Sequence, residues 1–193
     1  MDNNILSMLS YGMYIVCSEF ENKKAGCVVN TLTQISENPD MVAISIRKQS
    51  ETGNIIEKSG RFTASILSGN ADMDMVGVFG FMSSAETDKF ECTPHNFDKN
   101  GMPYITDGCL GVISCDVLNV IDVGSHKLYI AKVTEMRRIA DGEVMTYADY
   151  KESKNKKSGW RCKVCGYVYE GESLPDDFRC PWCNVGAEHF EKV

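Results

Sequence analysis

The 193-residue sequence lacks several features that would assign it to a familiar class at once. It contains no G-x-G-x-x-G segment and no Walker A segment, so dinucleotide-fold and P-loop interpretations have no support. No apolar run approaches the roughly 18 residues that a membrane-spanning helix needs. The first four residues, Met-Asp-Asn-Asn, offer neither a basic segment nor a following apolar core, which argues against a signal peptide and predicts a cytoplasmic protein.

Basic residues and chain breakers are also scarce. The formal net charge is −7, from 20 Lys and Arg against 27 Asp and Glu. A chain without a basic field is a poor partner for nucleic acid, because nothing offsets the phosphate charge. With 16 Gly, 5 Pro and 43% hydrophobic residues, the sequence is neither collagen-like nor disordered. The composition therefore predicts a globular protein with one full domain and a smaller remainder.

Short apolar runs separated by turn residues occupy residues 1–150, and no internal repeat is visible. Six runs rich in Val, Ile and Thr predict strands: Met13–Cys17, Gly26–Thr31, Met41–Ile46, Phe62–Leu67, Leu110–Val123 and Leu128–Thr134. Three others predict short helices: Leu6–Tyr11, Gly53–Lys58 and Met73–Phe79. The fold class is therefore mostly β, a barrel or sandwich with minor helices. Residues 83–103 predict a long loop, and such loops are often functional.

The character of the chain changes at residues 151–158, which contain no apolar side chain. This composition predicts a flexible linker with an end-to-end distance of about 15 Å. The chain then divides into a domain at 1–150, a linker at 151–158 and a separate unit at 159–193. Nine cysteines are many for a reducing compartment, where disulfides are rare, so some of them need a metal or redox explanation.

Four cysteines of the C-terminal unit form two C-x-x-C pairs. Fourteen residues separate Cys162 and Cys165 from Cys180 and Cys183, and this spacing strongly predicts a metal site. Gly166, directly after the first pair, permits the positive φ with which backbone N–H groups can turn toward sulfur. A unit of roughly 35 residues needs such a metal because its core alone is too small. Two disulfides are a minor alternative, and spacing alone leaves a structural zinc ribbon open.

Aromatic residues are concentrated around these cysteines, and an apolar shell of this kind tunes an iron–sulfur centre. The same rings also serve as the small core of the unit. They are Trp160, Tyr167, Tyr169, Phe178, Trp182 and Phe190. With Leu174-Pro175, Cys-Pro-x-Cys and Phe-Glu following in order, residues 160–191 resemble rubredoxin. The short spacer between the cysteine pairs resembles the rubredoxin-like domain of rubrerythrins. The resemblance implies one iron on four cysteines, at a site more exposed than in free-standing rubredoxins.

A strand, a polar turn and a short helix follow one another over residues 45–54. Lys48 and Ser50 lie in the turn, and Thr52 is a suitable N-cap for a helix that starts near Gly53. Free N–H groups at a helix N-terminus, hydroxyl groups and a lysine together predict a phosphate site. The same arrangement also occurs without a ligand, so these residues alone leave both interpretations open.

Five segments between residues 5 and 150 resemble, in their order and spacing, the flavin reductase-like family with its FMN-binding split β-barrel. They are GCVVNTLT at 26–33, SIRKQSET at 45–52, SGRFTASIL at 59–67, GSH at 124–126 and TYADY at 146–150. The fourth segment, at 124–126, resembles a segment that reads Gly-Asp-His in the family. Because Ser125 stands in place of the aspartate, His126 lacks a neighbouring carboxylate.

The resemblance implies an FMN site and a role for each matching residue. The isoalloxazine ring is lined by Asn30, Thr31, Leu32 and Thr33. The ring edge and ribityl chain run along Ser45 and Ile46, and the phosphate is held by Lys48, Ser50 and Thr52. The face on which the nicotinamide of NAD(P)H stacks is bordered by His126, the catalytic candidate, and by Tyr150. Each residue also has an ordinary interpretation, as an exposed strand residue, a turn histidine or a solvated lysine.

The remaining cysteines are predicted to be reduced and to serve mostly as small core side chains. They are Cys17, Cys27, Cys92, Cys109 and Cys115. Cys27 alone adjoins the predicted flavin segment. The apolar residues 77–82 either cover the flavin or simply end a helix. His95 and His189 are isolated and receive no ligand role.

A flavin accepts two electrons as a hydride, whereas a single iron carries one electron. Two units of this kind on one chain therefore predict a protein that converts hydride transfer into single-electron transfer. Their order resembles the high-molecular-weight rubredoxins. That resemblance implies a homodimer and electron flow from NAD(P)H through FMN and iron to a flavodiiron protein or a rubrerythrin-type protein. Two alternatives stay open: a flavin reductase that releases reduced FMN beside a structural zinc ribbon, and a non-enzymatic flavin- or haem-binding sensor.

Overall fold

The computed structural model describes residues 5–155 and 158–193. The strands of the N-terminal domain are β1 (Tyr14–Phe20), β2 (Lys23–Val29), β3 (Thr33–Glu37), β4 (Asp40–Arg47), β5 (Arg61–Leu67), β6 (Asn96–Phe97), β7 (Pro103–Tyr104), β8 (Cys109–Asp122) and β9 (His126–Arg138). The α-helices are α1 (Glu51–Ser59), α2 (Met73–Phe81) and α3 (Tyr147–Asn155). A 3₁₀ turn spans Ile5–Met8.

Seven of these strands form one antiparallel sheet in the order β2-β1-β5-β8-β9-β4-β3, and β6 pairs only with β7. The register of the long β8–β9 pair shifts between Ser114 and Cys115 and again between Val117 and Asn119. Bulges of this kind increase the local twist and bend a strand. The predicted mostly β class is therefore confirmed.

The helices cover two apolar clusters that lie against the sheet. The cluster beside α1 includes Ile56, Phe62 and Tyr129, all almost fully buried. The cluster beside α2 includes Ile15 and Phe79. Helix α1 follows β4 directly, so the sheet places its first turn at the end of that strand. Helix α2 likewise packs against β2.

The structure departs from the sequence predictions at several elements. Strand β3 was not predicted, because its sequence TQISE is polar and almost entirely exposed. The predicted helix Leu6–Tyr11 is only the 3₁₀ turn at its start. Helix α1 begins two residues earlier than predicted, so its N-cap is Ser50, and the assignment of Thr52 as N-cap is wrong. The predicted loop 83–103 contains β6 and the first residue of β7.

The C-terminal unit is a small three-stranded antiparallel sheet around the cysteines. Its strands are β10 (Trp160–Cys162), β11 (Val168–Tyr169) and β12 (Phe190–Lys192), in the order β11-β10-β12. A 3₁₀ turn spans Ala187–His189 before the last strand. Three of the cysteines form the buried cluster of this unit with Trp182 and Phe190, and Cys183 packs against it.

Helix α3 occupies the first five residues of the predicted linker. Its start is a reciprocal cap, in which Asp149 accepts a hydrogen bond from the N–H of Thr146 (3.1 Å) and donates its own N–H to the Thr146 hydroxyl (3.1 Å). Such a box satisfies N–H groups that a helix start otherwise leaves free. The expectation of an unstructured segment is therefore wrong for residues 151–155. Residues 156 and 157 lie outside the described residues.

Candidate functional site

The four cysteines of the C-terminal unit converge on one point. Their Sγ atoms all lie within 4.8 Å of one another. Sγ of Cys162 is 3.6 Å from that of Cys183, and Sγ of Cys165 is 3.4 Å from that of Cys180. A tetrahedral ion with bonds of about 2.3 Å holds its sulfurs about 3.8 Å apart. The donor set therefore fits a metal with four thiolate ligands, as the spacing of the cysteines predicts.

Two similar backbone turns present these sulfurs. The N–H of Gly166 donates to the carbonyl oxygen of Cys162, and the N–H of Asn184 donates to that of Cys180, both at 2.8 Å. Gly166 has φ of 81°, as predicted, and Asn184 has φ of 58°. Asparagine is among the few residues that tolerate this left-handed region. It takes the glycine's place in the second turn, which the sequence analysis did not anticipate.

The four cysteines are largely shielded from solvent. Cys162, Cys165 and Cys180 are buried, at most 2% exposed, and only Cys183 is partly exposed. The expectation of a site more exposed than in free-standing rubredoxins stays a prediction. Aromatic rings close the site, among them Trp182, which stands edge-on to Tyr167 at a centroid distance of 5.3 Å.

Backbone N–H groups point at the sulfurs. The N–H of Tyr167 lies 3.5 Å from Sγ of Cys165. Burial acts to raise the pKa of Cys162, but hydrogen bonds from the N–H groups of Cys165 and Val164 outweigh it and lower that pKa. Donors of this kind stabilise the thiolate form that binds metal.

A second candidate site is a cavity of about 520 Å³ between β2, β4, the start of α1 and the end of α2. Its lining includes seven of the eleven residues that the sequence analysis assigned to the cofactor and catalytic site: Asn30, Thr31, Ser45, Ile46, Ser50, Thr52 and His126. The end of α2 and the following residues, 79–84, form one wall. The segment at 77–82 thus both ends an apolar helix and borders the cavity.

Four predicted site residues lie elsewhere. Leu32 and Thr33 line a neighbouring hollow of about 510 Å³, which shares only Asn30 and Thr31 with the first cavity. Lys48 forms an ion pair with Asp122, with Nζ 2.6 Å from the carboxylate oxygen. Arg47, the last residue of β4, lines the cavity instead.

Tyr150 is buried in the apolar cluster beside α2, and its ring stacks on that of Tyr147 at a centroid distance of 6.0 Å. Burial raises its pKa, and the nearby Tyr147 and Cys165 raise it further. The structure therefore places Tyr150 toward the C-terminal unit and not at the cavity.

The first turn of α1 faces the cavity. Ser50 is the N-cap by position, yet its side chain makes no capping hydrogen bond. Its hydroxyl and that of Thr52 lie close enough to hydrogen-bond to the thiol of Cys27, which also lines the cavity. Burial raises the pKa of that thiol despite these bonds. The arrangement brings two hydroxyl groups and a helix N-terminus together, as an anion site requires.

Lys89 is the principal site residue that the sequence analysis missed. Its side chain lines the cavity, is 4% exposed and donates to the carbonyl oxygens of Gly26 (2.8 Å) and Phe79 (3.2 Å). Burial lowers its pKa from 10.5 to about 8, although nearby Cys27 and Cys17 act in the opposite direction. A single lysine inside a polar loop gives no signal in the sequence that distinguishes it from a solvated charge.

The hydroxyl groups of two predicted residues have specific partners. Thr31 Oγ1 donates to the carbonyl oxygen of Ser45 (2.8 Å) and accepts from its N–H (3.1 Å), so this hydroxyl fixes the chain beside β4. Ser125 Oγ lies 2.8 Å from Nδ1 of His126. The serine that replaces the family's aspartate therefore still orients the histidine ring, through a hydroxyl instead of a charge.

Two family models match the chain. The flavin reductase like domain matches residues 6–155, and the rubrerythrin, rubredoxin-like domain matches residues 160–191. The chain therefore belongs to the flavin reductase-like domain family and carries a rubredoxin-like domain behind it.

Individual proteins agree with this assignment. Over its full length the chain is similar to the high molecular weight rubredoxin of Moorella thermoacetica, with 30% identity over 229 residues and 100% of both chains covered. It is 35% identical to the ferric-chelate reductase (NAD(P)H) of Archaeoglobus fulgidus, covering 82% of this chain and 94% of the relative. The predicted resemblance to high-molecular-weight rubredoxins is thus confirmed.

Solved structures confirm the split-barrel fold. The crystal structure of the FMN-binding protein from Thermus thermophilus superposes with a TM-score of 0.65 at 24% identity, covering 70% of this chain and 75% of that one. None of the nine cysteines, all of which lie in the described residues, forms a disulfide bond. Among residues 5–155 and 158–193, none of the helices combines the length and apolar character needed to cross a membrane.

Proposed function

We propose that this protein is an electron-transfer oxidoreductase that uses NAD(P)H and FMN to deliver single electrons through a cysteine-bound iron to an acceptor protein. One observation carries the proposal: Phe81 belongs to the cavity wall and also contacts the four-cysteine unit through Trp182. The named activity of the Archaeoglobus fulgidus relative, an NAD(P)H-dependent ferric-chelate reductase, supports the choice of donor.

The residues around the cavity fit FMN. A volume of about 520 Å³ is within the range that small-molecule sites occupy. We propose that Ser50, Thr52 and Arg47 hold the phosphate at the first turn of α1, whose N-cap side chain makes no capping bond. We propose that the ring system lies against Asn30 and Ser45. The aromatic residues at the end of α2 line the opposite wall. Lys48, Leu32, Thr33 and Tyr150 do not line this cavity, so we assign them no contact with FMN in this proposal.

When bound, FMN supplies a hydride acceptor that releases electrons one at a time. The chain's own residues prepare the cavity for this ligand. Lys89 provides a buried positive charge, which favours an anionic ligand nearby. His126 lies at the cavity, where the hydroxyl of Ser125, 2.8 Å from Nδ1, orients its ring beside the predicted nicotinamide face. We propose His126 as the catalytic residue on this placement.

Iron is the metal that we propose for the four cysteines. A four-thiolate set accepts both iron and zinc, so the ligands alone do not decide. Burial of three sulfurs, the aromatic shell and N–H groups directed at sulfur are the features that tune an iron–thiolate potential. The match to a rubredoxin-like domain supports the same choice.

A second copy of the chain is proposed as a partner, because exposed apolar side chains occur on the outer half of β8. Leu118 in β8 is 60% exposed, and Val123, the residue directly after β8, is 51% exposed. Leu6 and Met8, near the start of the described chain, are more exposed still. A homodimer buries such surface favourably. A flavodiiron or rubrerythrin-type acceptor remains a proposal from the family resemblance.

An absorption spectrum and metal analysis of the purified protein test the proposal. We expect flavin and ferric–thiolate bands together, and anaerobic NADH or NADPH bleaches both. An iron band that stays oxidised while the flavin is reduced contradicts internal electron transfer. Stoichiometric zinc from iron-replete cells, with turnover of added free FMN, supports the flavin reductase alternative. Absence of any NAD(P)H oxidation supports the sensor alternative.

A further inference from the structure

Trp182 connects the C-terminal unit to the barrel. It stands between Cys180 and Cys183 and is 5% exposed. Its Nε1 donates a hydrogen bond of 3.1 Å to Oδ1 of Asp74, in the first turn of α2. Met73, the neighbouring residue on α2, packs against the same buried cluster as the cysteines. A residue that is part of a metal-binding turn is therefore also the main contact of that turn with another domain.

Gly77 forms the place on α2 where the indole ring rests. A Cβ atom at this position would lie 2.3 Å from two ring atoms of Trp182, closer than any real contact. A glycine inside a helix lowers helix stability relative to alanine. The docked indole explains why a glycine is needed here, because any side chain at this position would push the ring away.

Phe81 completes a continuous set of contacts between the two candidate sites. Its ring stacks on that of Trp182 with a centroid distance of 6.0 Å and an interplanar angle of 7°. The same phenylalanine lines the cavity at the end of α2. The contacts thus run from the ligand pair Cys180 and Cys183 through two parallel aromatic rings to the cavity wall.

We propose that Trp182 is a positioning residue, which docks the four-cysteine unit on α2 of its own chain and so holds the metal site against the wall of the FMN cavity. The docking itself stands on the contacts with Gly77, Asp74 and Phe81. Its role in electron transfer rests on the proposed function.

Two substitutions test the docking from opposite sides in the full-length, metal-loaded protein. Gly77→Ala places a methyl group where the indole ring of Trp182 packs, and it leaves the sequence of the C-terminal unit unchanged. Trp182→Ala removes the ring itself. Val164→Ala is the matched control, since Val164 holds the equivalent position in the first cysteine pair and is 55% exposed. Metal content and the visible spectrum establish that the metal site is intact in each variant.

The first measurement is hydrogen exchange of the α2 amides. Alanine alone strengthens a helix, so a purely local effect of Gly77→Ala slows exchange. Loss of docking instead raises the exchange rate, because it removes packing that stabilises the segment. We expect the α2 amides to exchange at least about 10-fold faster in both variants. Val164→Ala leaves α2 unchanged. Slower or unchanged exchange in Gly77→Ala overturns the proposal.

The second measurement is the rate at which the iron band bleaches after rapid reduction of the flavin. We expect a decrease of about 10-fold or more in both docking variants and none in the control, because electron transfer depends steeply on how the two sites are held. Faster α2 exchange together with an unchanged bleaching rate overturns the positioning role. If the wild-type iron is never reduced internally, the proposed function fails, while the exchange data still decide whether the unit docks.

Discussion

The ammonium group of Lys89 donates a hydrogen bond of 2.8 Å to the carbonyl oxygen of Gly26, 63 residues earlier in the chain. It also lies 5.5 Å from the ring centroid of Phe79. The long loop after α2 is thereby tied to β2 and to the helix end at the cavity. A charged group in so little water is costly, which is why burial lowers the pKa of this lysine to about 8.

Lys89 should make stability depend on pH in an unusual direction. Between about pH 8 and 10.5 the unfolded chain still binds the lysine proton and the folded chain does not, so stability rises with pH in this window. The rise is of the order of 3 kcal/mol. We expect Lys89→Met to remove it. The difference between wild-type and variant urea-unfolding curves across this window isolates the lysine, because the buried thiols titrate in both proteins. Parallel pH profiles would contradict the assignment.

Arg47 and Lys48 provide a matched pair of substitutions at the cavity. Arg47 lines the cavity, whereas Lys48 does not line it and forms an ion pair with Asp122. Arg47→Ala should weaken FMN binding by about 10-fold, the effect of losing one charge-assisted hydrogen bond. Lys48→Ala should change it by less than about 2-fold, since exposed ion pairs contribute little. Fluorescence titration with FMN measures both. The reverse order would restore the sequence-based assignment of Lys48.

The difference between these two residues shows what sequence reasoning could reach. The strand, the polar turn and the helix at 45–54 are readable because periodicity and turn residues are local signals. Which of two adjacent basic residues faces the cavity depends on the register of β4 against β9, where Arg47 pairs with His126. That register depends on segments far apart in the sequence, so a local sequence pattern cannot predict it.

The four metal ligands could be predicted because each C-x-x-C pair lies within one short turn, which is also a local signal. Lys89 and Trp182 were not, because their roles depend on partners far along the chain. Trp182 meets Asp74 across 108 residues. The sequence marks this tryptophan as part of a small aromatic core, which is correct, but nothing local distinguishes a core ring from one that also docks on a second domain.

Thr52→Asp tests the proposed phosphate position. Thr52 is 1% exposed, lines the cavity and lies in the first turn of α1. A carboxylate there repels the phosphate, so FMN affinity should fall by about 10-fold or more. A carboxylate at a position only 1% exposed is itself costly, so circular dichroism of the FMN-free variant must show that α1 is still folded. Thr52→Ser keeps the hydroxyl and should bind FMN nearly as well as wild type. Equal affinity of the Asp and Ser variants would remove Thr52 from the site.

Cys165→Ala should unfold the C-terminal unit through loss of the metal and leave the barrel folded. Metal binding stabilises units of this size by about 10 kcal/mol, so removal of one ligand should unfold residues 159–193. The two apolar clusters of the barrel contain no residue from that unit, so the barrel should stay folded and bind FMN. Metal analysis and limited proteolysis, with FMN titration of the protected fragment, measure these outcomes. Cys92→Ala is the control, because Cys92 is exposed and outside both sites. A barrel that unfolds together with the tail would show that the domains depend on each other for stability.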